Sequence, residues 1–235
     1  MLSLSVVIIA SYIVGSIPTS IIISKLKTGI DIRNFGSGNA GGANVIRVLG
    51  WKIGMLVVLV DALKGLVATL IISRFFYDRL PFSNYTPFDD FTLVQIICGC
   101  AAVVGHAFTV FAGFRGGKGV ATATGMLLGL APVEFLVAIG VFVVAFVVSR
   151  YVSVGSISGA ISAPLTMFFR KNIFRVDIEG YHTLIYFFIA VSAFLVYTHR
   201  KNIKRLLHGT ENRISSLNLL RKRGQPRSGA SGFGH

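Results

Sequence analysis

Apolar residues run in long stretches along this chain, separated by short segments that concentrate charge, glycine and asparagine. The stretches fall at about 3–24, 53–73, 92–112, 119–131, 133–149, 154–169 and 181–198. Most approach the roughly 17–25 residues that a helix needs to cross the hydrocarbon core of a bilayer. The first begins at the initiator Met with no basic leader and no small-residue cleavage site, so it predicts a retained helix and not a signal peptide. The run over 119–149 is interrupted only by Pro132 and Glu134. It reads either as one tilted helix or as a tight hairpin of two shorter ones.

Charge decides between them. With the hairpin there are seven crossings, and one side carries Lys25, Lys27, Arg33, Arg47, Lys52, Arg115, Lys118, Arg150 and the nine Lys/Arg between positions 200 and 227. The other side holds Arg74, Arg79, Arg170, Lys171 and Arg175, diluted by Asp78, Asp89, Asp90, Asp177 and Glu179. That is 17 basic residues against 5, with Lys64 left inside a span. Without the hairpin, the basic tail and the glycine-rich loops would face opposite compartments. An excess of Lys and Arg in short loops marks the cytoplasmic side. The chain is therefore expected to be an all-α integral membrane protein of seven transmembrane helices, amino terminus outside and carboxyl terminus cytoplasmic.

Composition excludes the soluble alternative. With 53% hydrophobic and 14% charged residues and a mean hydropathy of +0.73, too little polar surface is available to solvate a globular exterior. Neither a fixed-period repeat nor a second domain is evident, so residues 1–214 read as a single polytopic domain. Residues 215–235, ending "RKRGQPRSGASGFGH", form a basic tail expected to be disordered. In a soluble protein a net charge of +14 would point to nucleic acid. Here basic loops hold topology and touch anionic headgroups, so membrane lipid is the expected partner and nucleic acid is not. Cys98 and Cys100 lie in an apolar run with no matching pair, which indicates neither a metal site nor a disulfide framework.

The topology gathers four donor-rich segments on one face. They are "NFGSGNAGGANVIRVLG" (34–50), "GHAFTVFAGFRGGKGVAT" (105–122), "SRYVSVGS" (149–156) and "THRKNIKRLLHGTENR" (198–213). Guanidinium, ammonium, hydroxyl, imidazole and glycine N–H groups abound, whereas Asp31 and Glu211 are the only carboxylates on that face. Such a site suits an anion, most naturally a phosphate. Gly36-x-Gly38-x-x-Gly41 matches a dinucleotide fingerprint, but it follows a membrane span where a βαβ unit would supply a short strand. "AGFRGGKG" fails as a Walker A loop, with Ala112 for the first glycine and Gly119 for the hydroxyl.

Plainer readings apply to parts of this set. A glycine loop between membrane helices is often only a turn, and His106 alone reads as an interface histidine. His199 and Asn202, three apart, share one helix face. Asp61 and Lys64 have the same spacing inside the second span, where each buried charge costs about 2.5–3.5 kcal/mol at a helix centre. They are expected to neutralise one another, either as a structural pair or as part of the site.

Assembled, these residues resemble the PlsY family of bacterial acyl-phosphate:glycerol-3-phosphate acyltransferases. "GSGNAGGANVIRVLG", "GHAFTVFAGFRGGKGVAT" and "HRKNIKRLLHGTE" resemble its three signatures, and "GSIPTS", "DALKG" and "RYVSVGS" fit the pattern. The similarity runs from about residue 12 to 214. Ala43 stands where the family usually has Thr, Thr109 where it has Pro, and Arg115 where it often has Lys. The resemblance implies transfer of a fatty acyl group from acyl phosphate to the sn-1 hydroxyl of glycerol 3-phosphate. The products would be lysophosphatidic acid and inorganic phosphate, formed without cofactor or metal at the cytoplasmic face of the inner membrane by a monomer.

The catalytic set is expected to be Ser37, Arg47, Lys118, His199 and Asn202. Substrate contacts are expected from Asn39, Gly41, Asn44, His106, Arg115, Gly116, Gly117, Ser153, Gly155, Ser156, Arg200 and Glu211. Arg47, Lys118, His199 and Asn202 would grip glycerol 3-phosphate; Ser37, Ser153 and the backbone near Gly155 would cradle acyl phosphate. No covalent nucleophile stands out, so proximity and electrostatics would carry the reaction. The hydroxyl proton would go to the substrate's phosphate or to His199. A phosphate or organic-phosphate transporter is the alternative, although polar groups gathered at one surface and the lack of two related halves argue against it.

Overall fold

A computed structural model describes residues 3–75, 87–211 and 213, and among them all regular structure is helical. The tail expected over 215–235 lies outside the described residues. The helices are α1 (Leu4–Ser16), α2 (Thr19–Thr28), α3 (Gly42–Leu49), α4 (Trp51–Leu70), α5 (Asp90–Ala107), α6 (Val120–Leu130), α7 (Pro132–Ser149), α8 (Val152–Asn172), α9 (Tyr181–Thr198) and α10 (Arg200–Leu207). Six stretches are long and apolar enough to cross a membrane: Leu4–Thr28, Trp51–Phe75, Asp90–Ala112, Pro132–Ser149, Val152–Asn172 and Tyr181–Thr198. The seventh expected crossing is α6, with only 11 residues. At 1.5 Å per residue it is about 16 Å long, half the thickness of a typical hydrocarbon core.

The break expected inside 119–149 is present. Ala131 alone separates α6 from α7, and Pro132 takes the first position of α7, where a missing N–H costs nothing. Glu134, buried in the first turn of α7, pairs with Arg170 near the end of α8 at 2.5 Å. This ion pair fixes the α6–α7 turn to the end of α8 remote from Ser153.

Helix α4 is the post around which the site is assembled. Its first half takes α3: a Cβ on Gly42 would strike Val58, and one on Gly54 would strike Ile46. Its second half takes α6, where Gly65 meets the carbonyl of Thr122 and Gly125 meets that of Ala62 so closely that no side chain fits. Small residues let membrane helices approach backbone to backbone. As a result α6 runs beside the second half of α4, and its first residue, Val120, lines a cavity with Val58, Asp61 and Ala62 about midway along the 20 residues of α4.

Proline interrupts the bundle twice, and each interruption has a donor from another helix. The run expected as one span over 3–24 is two helices, because Ile17–Pro18 separates α1 from α2. The carbonyls of Ser16 and Ile17, which an unbroken helix would bond to residues four further on, are met by the Thr109 hydroxyl and, at 2.5 Å, by the Lys64 ammonium. Pro164 inside α8 cannot donate to Ala160, and Ser192 of α9 donates to that carbonyl instead at 2.5 Å. An unmet backbone group in lipid costs several kcal/mol, so these side chains are part of the helical architecture.

Candidate active site

Two loops approach the middle of α4 from different sides. In the first, Asn44 of α3 is a buried hub. Its amide nitrogen lies within bonding distance of the carbonyls of Ile32 (3.1 Å), Phe35 (2.9 Å) and Asn39 (3.1 Å), and its oxygen accepts from Ser37 N–H at 2.8 Å. Gly36 and Gly38 have positive φ (61° and 71°), which lets the chain coil around that amide. Asp31 accepts three bonds from Arg33, through N (3.0 Å), Nε (3.1 Å) and Nη2 (2.8 Å). Those bonds hold the Asp31 carboxyl at about 2, below its ordinary 3.8, against the opposing effect of burial. The same guanidinium donates from Nη1 to Ala112 O at 2.9 Å, tying the first loop to the second.

In the second loop, the chain leaves α5 and folds back on it. Gly116 N–H bonds Ala107 O and Gly117 N–H bonds His106 O, each at 3.1 Å. A Cβ on Gly116 would collide with the His106 carbonyl, and one on Gly117 with the His106 ring. Gly119, at φ 73°, then turns the chain into α6.

Between the loops lies a cavity of about 270 Å³. Asn39, Gly41 and Ala43 line it from the first loop, Lys118, Gly119 and Val120 from the second, with Asp61 and His106 in its wall. Both α3 and α6 begin at this cavity, and no side chain caps either amino terminus. Unpaired N–H groups and the positive end of the helix dipole favour an anion there. The wall carboxylate does not compete for it. Asp61 accepts from Lys64 at 2.6 Å, and His106 Nδ1 lies 3.6 Å away, close but beyond hydrogen-bonding range.

A second polar cluster forms where α8 begins and α10 ends. Glu211 Oε1 accepts from Ser153 Oγ at 3.0 Å and Asn202 Nδ2 at 2.8 Å; Oε2 accepts from Arg205 Nε at 2.6 Å. Arg205, followed by Asn202, lowers the Glu211 carboxyl below its ordinary 4.5. His199, at the α9–α10 junction, points Nδ1 at Leu195 O, 2.9 Å away. A carbonyl can only accept, so Nδ1 carries the hydrogen and Nε2 is left open. Among the described residues, no hydrogen bond or ion pair joins this clasp to the cavity.

The glycerol-3-phosphate acyltransferase family model matches residues 5–209. The chain is 50% identical over 230 residues to a glycerol-3-phosphate acyltransferase of Chlorobaculum tepidum, covering 92% of this chain and 98% of the relative. It is likewise 50% identical over 233 residues to one from Chlorobium chlorochromatii, with the same coverages. Its fold is similar to crystal structures of PlsY, an integral membrane glycerol 3-phosphate acyltransferase. For the glycerol 3-phosphate form the TM-score is 0.64 at 38% identity, covering 92% of this chain and 98% of that one. For the lysophosphatidic acid form it is 0.64 at 37%, covering 93% and 98%.

The chain belongs to the glycerol-3-phosphate acyltransferase family. In this family member the residues singled out from sequence fall into three groups, apart from His199, which stands at the α9–α10 junction and is not among the cavity's lining residues. Asn39, Gly41, His106 and Lys118 line the cavity. Ser37 is exposed in the turn two residues before Asn39, and Arg47 stands one helical turn beyond Ala43 on the same face of α3. Arg115 is exposed beside Gly116 and Gly117, which shape the second loop. Ser153, Asn202 and Glu211 meet one another in the clasp.

A third group makes its described contacts within the fold. Asn44 spends its amide hydrogens on the loop backbone. Gly155 is pressed against Phe142 of α7, with its N–H bonded to Tyr151 O at 3.2 Å, so it is placed for helix packing. Ser156 bonds back to Val152 O, and Arg200, at the start of α10, lies 4.3 Å above the Tyr197 ring at the end of α9. Sequence reasoning missed Arg33 and Arg205, and left Asp61 open. The Asp31-x-Arg33 spacing was a signal for the first; nothing local announced Arg205 as a partner of Glu211.

Proposed function

We infer that this chain transfers a fatty acyl group from acyl phosphate to the sn-1 hydroxyl of glycerol 3-phosphate, acting as a monomer at the cytoplasmic face of a bacterial inner membrane. The observation that carries this reading is the cavity at which two uncapped helix amino termini and Lys118 converge, with Asp61, its only carboxylate among the described residues, already paired with Lys64. Among the described residues, Arg47, Arg115 and Lys118 have no carboxylate within ion-pair reach, whereas Arg33, Lys64, Arg170, Lys171 and Arg205 each have one. Groups that lack an anion of their own are suited to a phosphorylated substrate.

In the reaction, the substrate hydroxyl oxygen bonds to the acyl carbonyl carbon as the bond from that carbon to the phosphate oxygen breaks. Phosphate leaves with the electron pair and takes up the hydroxyl proton. Lys118 and the helix ends hold the phosphate and stabilise its charge, while the loops hold the two reactants in contact. In its neutral form, with Nδ1 donating to Leu195 O, His199 would offer Nε2 as the competing proton acceptor.

The topology proposed with this reading has seven crossings and the amino terminus outside. Helix α6 together with the loop descending to it completes the seventh crossing. The Glu134–Arg170 pair supports this, since it holds the far end of α6 level with the end of α8 opposite the clasp. Purified chain in lipid, given palmitoyl phosphate and glycerol 3-phosphate without metal or nucleotide, is expected to release phosphate; none released refutes the reading. His199→Gln is expected to keep measurable turnover. More than about a thousandfold loss at unchanged affinity, over 4 kcal/mol of barrier, would make His199 the proton acceptor.

A further inference from the structure

We propose that Asp61 and His106 are positioning residues that set Lys118 and the amino end of α6 toward the cavity; this rests on the reading of Lys118 as a phosphate contact. The His106 ring is wedged between two partners. Nδ1 faces the Asp61 carboxylate at 3.6 Å, and Nε2 lies so close under Gly117 that no Cβ would fit. The His106 carbonyl binds Gly117 N–H at 3.1 Å. Ring and carbonyl of one residue thus hold Gly117 twice, and Lys118 and Gly119 follow directly.

Asp61 is fixed in turn. Its Oδ1 accepts from Lys64 at 2.6 Å, and the same ammonium reaches Ile17 O at the break between α1 and α2. Only 1% of Asp61, 5% of Lys64 and 8% of His106 is exposed, so the chain of contacts is too enclosed to shift independently of the bundle. Helix contact alone does not require it, because α4 and α6 already meet through Gly65 and Gly125. What the contacts add is a fixed Cα position for Lys118, whose own side chain is long, exposed and without a bonded partner among the described residues. Neither Asp61 nor His106 bonds the Lys118 ammonium, so they act on it through the loop backbone.

A double-mutant cycle in lipid tests this, with palmitoyl phosphate and glycerol 3-phosphate as substrates and phosphate release as readout. His106→Asn and Lys118→Met are each expected to raise the KM for glycerol 3-phosphate about tenfold, and the double variant no further than Lys118→Met alone. Multiplicative effects in the double variant overturn the proposal. Asp61→Asn with Lys64→Met removes both buried charges together, so no lone charge remains at the helix centre; the same non-additivity with Lys118→Met is expected. Should neither His106→Asn nor this neutral pair give folded, monodisperse protein, the role is structural and the proposal falls. A wild-type chain that releases no phosphate refutes the enzyme reading itself. An active wild type with an unchanged KM in Lys118→Met removes Lys118 from the site and the proposal with it.

Discussion

The cavity beside α4 and the Glu211 clasp draw on the same residue types, but their pairing differs. At the clasp, Arg205, Asn202 and Ser153 converge on a carboxylate from the chain itself. At the cavity, Lys118 and two helix ends line the same wall, and Asp61, the one carboxylate there among the described residues, is paired with Lys64. The clasp's donors are satisfied by a carboxylate of the chain, whereas Lys118 at the cavity has no such partner among the described residues. Residue type does not separate the two cases, and pairing does.

Three variants press on that contrast, the most severe first. Gly116→Ala should abolish acyl transfer, because the added methyl meets the His106 carbonyl and backbone cannot yield. Turnover in lipid reads this, and the clasp should be untouched; full activity would mean that the second loop does not shape the cavity. Arg47→Lys keeps the charge but loses bidentate geometry. It should raise the KM for glycerol 3-phosphate about tenfold, or 1.4 kcal/mol, with kcat nearly unchanged. An unaltered KM would take Arg47 out of the phosphate grip.

The mildest concerns the clasp and pH. The Glu211 carboxyl sits below its ordinary 4.5 in the fold, so its stabilisation is complete above that value and fades as pH falls through the depressed one. Glu211→Gln should lower the thermal midpoint at pH 7 and flatten its decline below pH 4.5 relative to wild type. Parallel declines in the two proteins would show that Glu211 is not an ionised partner of Arg205.

Much of the bundle was legible because hydropathy is a bulk property. Trp51–Leu70, Pro132–Ser149 and Tyr181–Thr198 lie within a few residues of where apolar runs place them. The break at Pro18 escaped because the apolar pattern continues through it, and the donors that make the break tolerable come from residues 64 and 109, far along the chain. The loops that form the cavity could be read from their glycines and cations. The duties of Asn44, Gly155, Asn202 and Arg200 could not, since each depends on a partner that only the folded chain supplies.

The short helix α6 has a further consequence. Because it begins partway along α4, the cavity at its amino end lies beside the body of α4 and not beyond the helix ends. The cavity there is walled by the apolar side chains of Val58, Ala62 and Val120 as well as by Asp61, His106 and Lys118. Half a helix thus leaves open a recess of mixed polar and apolar lining, which a full-length span in the same position would fill with side chains.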